Sequence, residues 1–263
     1  MKIDVTDITP PLAAEWLRRN TRNRPISTDR VEKYARDMAA GRWISNGETF
    51  KRATDGTLLD GQHRLSAIVT SGITLEEAVV ISDLAPETQD TMDQGRARTV
   101  ADVLGINAVK NASIVASIAR RGWQWEQANF KFTSHTAPTP AEIRQFVADN
   151  PVVHRSAEIA AEMRGSFRVA KPSVIGTTHF ILMGVSPDDA VQFFASFAHG
   201  AGLEDNHPVL SLRNRFLNDK IMGKRNPFHQ DVALIFRAWN GVREGRTMAR
   251  ILHTADEPMI QPL

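Results

Sequence analysis

The chain has 263 residues, of which 42% are hydrophobic, and this is enough for one large or two ordinary domains with apolar cores. It contains no cysteine, which excludes a disulfide framework and a zinc site built from thiolates. The 32 basic and 30 acidic residues leave a net charge of only +2, so an argument for nucleic acid must come from local clusters. No apolar run is long enough to cross a membrane, and residues 1–4 are too polar for a signal peptide, so we predict a cytoplasmic protein without membrane contact.

The first elements of the chain are predicted to be short. An imperfect alternation of apolar residues at positions 3–8 indicates an edge strand, and residues 13–17 indicate a short helical turn after two prolines. A basic run follows, in which four arginines occur without an acidic residue: Arg18, Arg19, Arg22 and Arg24. Such a charge density attracts a polyanion, but a solvated loop has the same composition, and both interpretations stay open.

A helix and a β-hairpin are predicted next. Residues 29–32 have the Asp-x-x-Glu pattern of a helix N-terminus, and Gly41 is the expected residue after its end. Residues 48–52 indicate a strand, Asp55-Gly56 a hairpin turn, and residues 57–59 the returning strand. The hairpin therefore leads directly into the segment that begins at residue 60.

The segment 58–69 carries the strongest functional signal. Two leucines end a buried strand, Asp60-Gly61 makes a turn, and apolar residues then recur at helical spacing. The first amides of a helix have no intrahelical acceptor and carry a partial positive charge, and Gly61 lets the backbone approach an anion. Because His63 and Arg64 add donors suited to phosphate, the sequence predicts a phosphate-binding loop. The alternative is a plain turn in which Asp60 caps the helix and both donors are solvated.

Two motifs resemble those of a known superfamily. Gly61-Gln62-His63-Arg64 is similar to the nucleotide-phosphate motif of ParB/sulfiredoxin proteins, which is Gly-Glu-Arg-Arg in partition proteins and Gly-Cys-His-Arg in sulfiredoxins. With Asp60 included, the string resembles the DGQHR signature of phage and mobile-element relatives. The segment 93–99, Asp-Gln-Gly-Arg-Ala-Arg-Thr, resembles the element that follows this signature in the same relatives. Gln62 departs from both patterns: it replaces the sulfiredoxin cysteine, which excludes that chemistry, and the glutamate of the partition proteins' CTP switch.

The resemblance implies an α+β, ParB/sulfiredoxin-like N-terminal domain that binds a nucleotide, ATP or CTP. The residues that it places on the phosphates are Gly61, Gln62, His63 and Arg64, with Arg96 and Arg98 as a second clamp and Arg24 near the nucleotide. It also implies a role in a DNA-related process such as partition, DNA modification or phage biology.

The second half of the chain is predicted to be mostly α-helical, which divides the protein into domains 1–105 and 106–263. Thr139-Pro140-Ala141-Glu142 is a complete helix start signal, and Pro151, Pro172 and Pro187 are each expected to begin a helix. The phenylalanines in the segment 193–197 are expected in a core. The basic turn at residues 220–227 contains Lys224 and Arg225, which are candidates for contact with a nucleic-acid backbone or are simply solvated.

Three functions remain open at this stage. The first is a nucleotide-binding protein of the kind described above. The second is an enzyme, a nucleotide-dependent phosphotransferase or a nuclease or NTPase, with Glu48, Asp60 and His63 as catalytic candidates and Asp60 as the Mg²⁺ ligand. The third is a non-enzymatic DNA-binding module that uses the basic run 18–24 and the turn with Lys224 and Arg225. A homodimer is a further open alternative.

Overall fold

The structure of the protein is a computed structural model that describes residues 1–21, 23–92, 109–127, 137–254 and 257–263. Within these ranges the fold is α+β, as predicted, with a four-stranded mixed sheet and ten α-helices. The chain forms two compact units: unit 1 is Met1–Arg98 with Thr133–Glu142, and unit 2 is Thr99–Phe132 with Ile143–Leu263. The predicted domain boundary at residue 105 lies outside the described residues.

Unit 1 contains the sheet. Its elements in chain order are β1 (Lys2–Ile8), α1 (Pro10–Leu17), α2 (Thr28–Ala39), β2 (Phe50–Ala53), β3 (Leu58–Asp60), α3 (Gln62–Ser71), β4 (Leu75–Leu84) and a 3₁₀ helix (Pro86–Thr91). The strand order is β1-β4-β2-β3, with β2 parallel to β4 and the other two pairs antiparallel. β1 lies at one edge, which confirms the predicted edge strand, and β3 ends where α3 begins.

The core of unit 1 lies between the sheet and helices α1, α2 and α3. Phe50 is fully buried in it and meets the Trp16 ring edge-on, with ring centroids 6.3 Å apart. The spacing of apolar residues in α2 and α3 explains this packing, because it turns one stripe of each helix toward the sheet. Phe50 therefore lies directly beneath the turn from β3 into α3.

Two predicted starts in unit 1 are wrong by two residues. The Asp-x-x-Glu pattern places the N-cap of α2 at Asp29, but the N-cap is Ser27 and the helix begins at Thr28. The hydroxyl of Ser27 accepts the Arg30 N–H and so caps the helix two residues earlier. Strand β2 begins at Phe50, so Glu48 precedes the strand and is not part of it. The Glu48 N–H donates to the Asn46 side chain, a local turn that competes with pairing in the sheet.

A buried polar cluster joins the start of helix α5 (Pro140–Asp149) to α2 within unit 1. The predicted capping box is confirmed: the Thr139 N–H donates to Glu142 and the Glu142 N–H donates to the Thr139 hydroxyl, at 2.7 and 3.1 Å. The Glu142 carboxylate also accepts from Arg36 and Arg42, at 3.3 and 3.1 Å. One glutamate thus satisfies a helix terminus and two guanidinium groups.

The regular secondary structure in the described part of unit 2 consists of helices alone. Besides the continuation of α5, it contains α4 (Ala112–Gln127), α6 (Val152–Ser166), α7 (Pro172–Val185), α8 (Pro187–His199), α9 (Pro208–Ile221) and α10 (Phe228–Arg243). Pro172 and Pro187 are the first residues of their helices, as predicted, and Pro151 immediately precedes α6. The phenylalanines of α8 at positions 193, 194 and 197 are buried, which confirms their prediction as core residues.

Helix α7 runs through the centre of unit 2. Its residues from Val174 to Leu182 are all buried, and they include His179. The His179 Nδ1 lies 2.9 Å from the hydroxyl of Ser156, and burial lowers the pKa of this histidine from 6.5 to about 4.

No helix among the described residues has the combination of length and apolar character that a membrane span requires.

Candidate functional site

The turn from β3 into α3 depends on a glycine for two separate reasons. Gly61 has φ of +102°, which side chains disfavour, and it is the residue that precedes the first turn of α3. A Cβ atom at this position would also lie 2.5 Å from Cδ1 of Phe50. The backbone at residue 61 therefore packs directly on the core, and this fixes the direction in which α3 leaves the sheet.

The first amides of α3 have no acceptor among the residues that the structure describes. No side chain caps this helix, and within the described part of the chain no backbone oxygen accepts from the N–H groups of Gln62, His63 or Arg64. The Gly61 carbonyl accepts from Leu65, so the regular helical ladder begins only there. Three donors and the positive end of the helix dipole thus coincide at the turn that the sequence predicted to bind phosphate.

The side chain of Gln62 makes two hydrogen bonds to the loop that contains the basic run 18–24. Its amide group donates to the carbonyl of Arg24 at 2.9 Å and accepts from the amide of Asn20 at 2.8 Å. Asn23 in turn donates to the Leu58 carbonyl at the start of β3. Because Gln62 is only 5% exposed and both ends of its amide are bonded, it positions the basic loop beside the start of α3.

The side chain of His63 is hydrogen-bonded to Ser27, the residue that caps α2. Its Nε2 accepts the backbone N–H of Ser27 at 3.1 Å, which requires a ring without a proton on that nitrogen. Burial and the nearby charges of Arg30 and Arg24 lower the pKa of His63 below 6.5. His63 is therefore a neutral acceptor at neutral pH, because burial lowers its pKa and the charges of Arg30 and Arg24 add to this effect.

The lowered pKa of His63 predicts how the stability of unit 1 changes with pH. Because the folded pKa of His63 lies below the unfolded value, its contribution to stability is complete above pH 6.5 and is lost as the pH falls toward the folded pKa. An NMR titration of the His63 ring should show a midpoint below 6.5, and the urea-unfolded protein supplies the reference midpoint. An anion bound at the start of α3 should move the folded midpoint upward. A folded midpoint at or above the reference would contradict the assignment.

Arg64 is buried at the same turn and is anchored on several sides. Its guanidinium donates to the Thr49 carbonyl at 2.8 Å and lies 4.7 Å from the centre of the Phe50 ring. Two carboxylates flank it, with oxygens of Glu48 at 3.5 Å and of Asp60 at 3.7 Å. The sequence-predicted carboxylates thus converge on one arginine, although Glu48 precedes the strand.

The surroundings of Asp60 do not fit a magnesium ligand. Its carboxylate is paired with Lys51 at 3.2 Å as well as with Arg64, and two cations at one carboxylate oppose the binding of a divalent cation. Within the described ranges, no group of three or more histidine and acidic side chains could hold a metal ion. We therefore assign no chemistry to a metal at this turn.

The remaining predicted residues are distributed differently. Arg18, Arg19 and Arg24 are exposed on the loop that Gln62 holds, and the Arg19 carbonyl accepts the Leu58 N–H. Lys224 and Arg225 are exposed on the turn after α9, in unit 2. Arg22, Arg96 and Arg98 lie outside the described residues. The sequence did not single out Arg30, since an arginine in the first turn of a helix carries no pattern of its own.

Comparison with known proteins adds no assignment. No protein-family model matches the chain, and neither the curated proteins nor the solved structures gave a match. The turn from β3 into α3 is therefore the feature from which a function can be inferred.

Proposed function

We propose that unit 1 binds the phosphate groups of a nucleotide, ATP or CTP, at the start of α3, as a ParB/sulfiredoxin-like domain in a DNA-related process. The observation that carries the proposal is the set of three amides, at residues 62–64, that have no acceptor within the described residues. Helix N-termini with free amides are established positions for phosphate oxygens.

Two exposed arginines strengthen this proposal. The Arg24 carbonyl accepts from Gln62, and the Arg30 N–H donates to Ser27, whose own N–H donates to His63. Both arginine charges also lower the pKa of His63. Within the described ranges neither arginine has a carboxylate partner, which leaves both charges available to an anion. In this arrangement Gln62 and His63 position the two arginine-bearing segments, and the backbone amides with Arg24 and Arg30 contact the phosphates.

The test is calorimetric titration with ATP, CTP, GTP and ADP, each with and without Mg²⁺. We expect the parent protein to bind at least one of them, and the double variant Arg24→Gln/Arg30→Gln to bind it about tenfold more weakly, because two charge-assisted contacts are lost. Lys2→Gln is the matched control, since Lys2 is an exposed base at the opposite edge of the sheet. The proposal fails if the parent binds no nucleotide, or if the double variant and the control behave alike.

An enzyme is the second candidate, because Glu48 and Asp60 approach the same guanidinium. Glu48 is 64% exposed and could accept a proton from an attacking hydroxyl or water, whereas Asp60 is held by two cations. If the bound nucleotide is turned over, Glu48→Gln should abolish phosphate release and leave binding intact. Release that continues in Glu48→Gln would exclude this carboxylate as the base.

A further inference from the structure

Unit 2 contains a basic cavity that neither the sequence motifs nor the proposed function uses. It has a volume of about 730 Å³ and lies beside the end of α6, the connection to α7 and the end of α9. Four of the residues that line it are bases: Arg164, Arg168, Lys171 and Lys220. The others are small or apolar, and none of the lining residues in the described part of the chain is acidic or aromatic.

Most of this positive charge is uncompensated. Within the described residues, neither Arg164 nor Arg168 has a carboxylate partner. Lys220 donates to the backbone carbonyl of Arg168 at 3.4 Å, which leaves its charge without a counter-ion. Only Lys171 approaches a carboxylate, that of Asp231 at 3.5 Å, and its side chain is still 53% exposed. Like charges around one concave surface repel one another, so a bound anion would reduce this electrostatic repulsion.

We infer that this basic cavity binds a ligand with two or more adjacent phosphate groups. Exposed arginine and lysine side chains around a concave surface suit phosphate oxygens, and four of them exceed what a single carboxylate would need. The small residues Ala161, Gly165 and Ala170 allow the anion to approach the surface closely. Since none of the described lining residues has an aromatic ring to stack on a base, the ligand is recognised through its phosphates.

The linked phosphates have two sources, a free oligophosphate or the backbone of a nucleic acid, and the inference covers their shared chemistry. It does not depend on the function proposed for unit 1. The measurements therefore use Arg24→Gln/Arg30→Gln as the starting protein, in which binding at the start of α3 is already weakened, and the cavity variants are compared with this background.

The experiment titrates this protein with tripolyphosphate and, in a separate arm, with a short DNA duplex over a range of salt concentrations. We expect Arg164→Gln/Arg168→Gln to weaken binding about tenfold and, for the duplex, to reduce the salt dependence by about two counter-ions. Binding in the first arm alone identifies a free oligophosphate, and binding in the second identifies a nucleic-acid backbone.

A second variant changes the charge of the cavity without removing a basic side chain. A Cβ atom at Gly165 would meet nothing within 4 Å, so Gly165→Glu places a negative charge there with little effect on packing. It should weaken binding in the same arm as the double variant. Arg144→Gln, at an exposed base on α5 outside the cavity, is the matched control and should bind like the starting protein. The inference is wrong if neither probe binds, or if both cavity variants bind as the control does.

Discussion

Gly61→Ala should destabilise unit 1 by about 2–4 kcal/mol and abolish the nucleotide binding that we propose for it. The left-handed conformation at φ of +102° costs an alanine strain, and its Cβ would meet Phe50 at 2.5 Å in a core without spare volume. Relief requires Phe50 or the first turn of α3 to move, and either movement displaces the three free amides. Urea unfolding, with unit 1 followed by amide hydrogen exchange, measures the stability, and calorimetry measures the binding.

Gly72→Ala is the matched control for this prediction. Gly72 ends the same helix, also in the left-handed region at φ of +72°, but a Cβ atom there meets nothing within 4 Å. The change should cost about 1 kcal/mol, from conformation alone, and leave nucleotide binding unchanged. Equal losses for the two variants would show that contact with Phe50 does not fix the turn.

Glu142→Ala should destabilise unit 1 by about 3 kcal/mol. The substitution removes the acceptor of the buried Thr139 N–H and leaves Arg36 and Arg42 without this carboxylate. Both guanidinium groups are about a third exposed, at 34% and 29%, so water offsets part of the loss and the effect stays at the low end for a broken buried pair. Urea unfolding with hydrogen exchange of α2 amides measures it.

Glu158→Ala provides the comparison. Glu158 also pairs with an arginine, Arg155, at 3.2 Å, but the side chains are 44% and 57% exposed. Removal of such a pair should cost about 0.5 kcal/mol or less. A similar cost for the two glutamates would mean that the cluster around Glu142 adds nothing beyond a surface ion pair.

The local elements of this protein could be predicted because their signals lie within a few residues of one another. The capping box of Thr139 and Glu142, the prolines that begin α7 and α8, and the turn at Gly61 all act over one to four positions. The exact starts of α2 and β2 could not be predicted, because the side chains of Ser27 and Asn46 accept backbone hydrogen bonds that compete with the expected patterns. The α+β class was implied by the resemblance of two motifs to a known superfamily.

By itself, the sequence determined that a strand passes through a turn at Gly61 into a helix whose first turn carries Gln62, His63 and Arg64. Only the tertiary structure decided what those side chains do, because their hydrogen-bond partners lie 15 to 42 residues away along the chain. Gln62 is committed to Asn20 and the Arg24 carbonyl, and His63 to the Ser27 amide. The amides at the start of α3 that have no acceptor among the described residues are backbone groups, so a motif of side-chain types cannot reveal them.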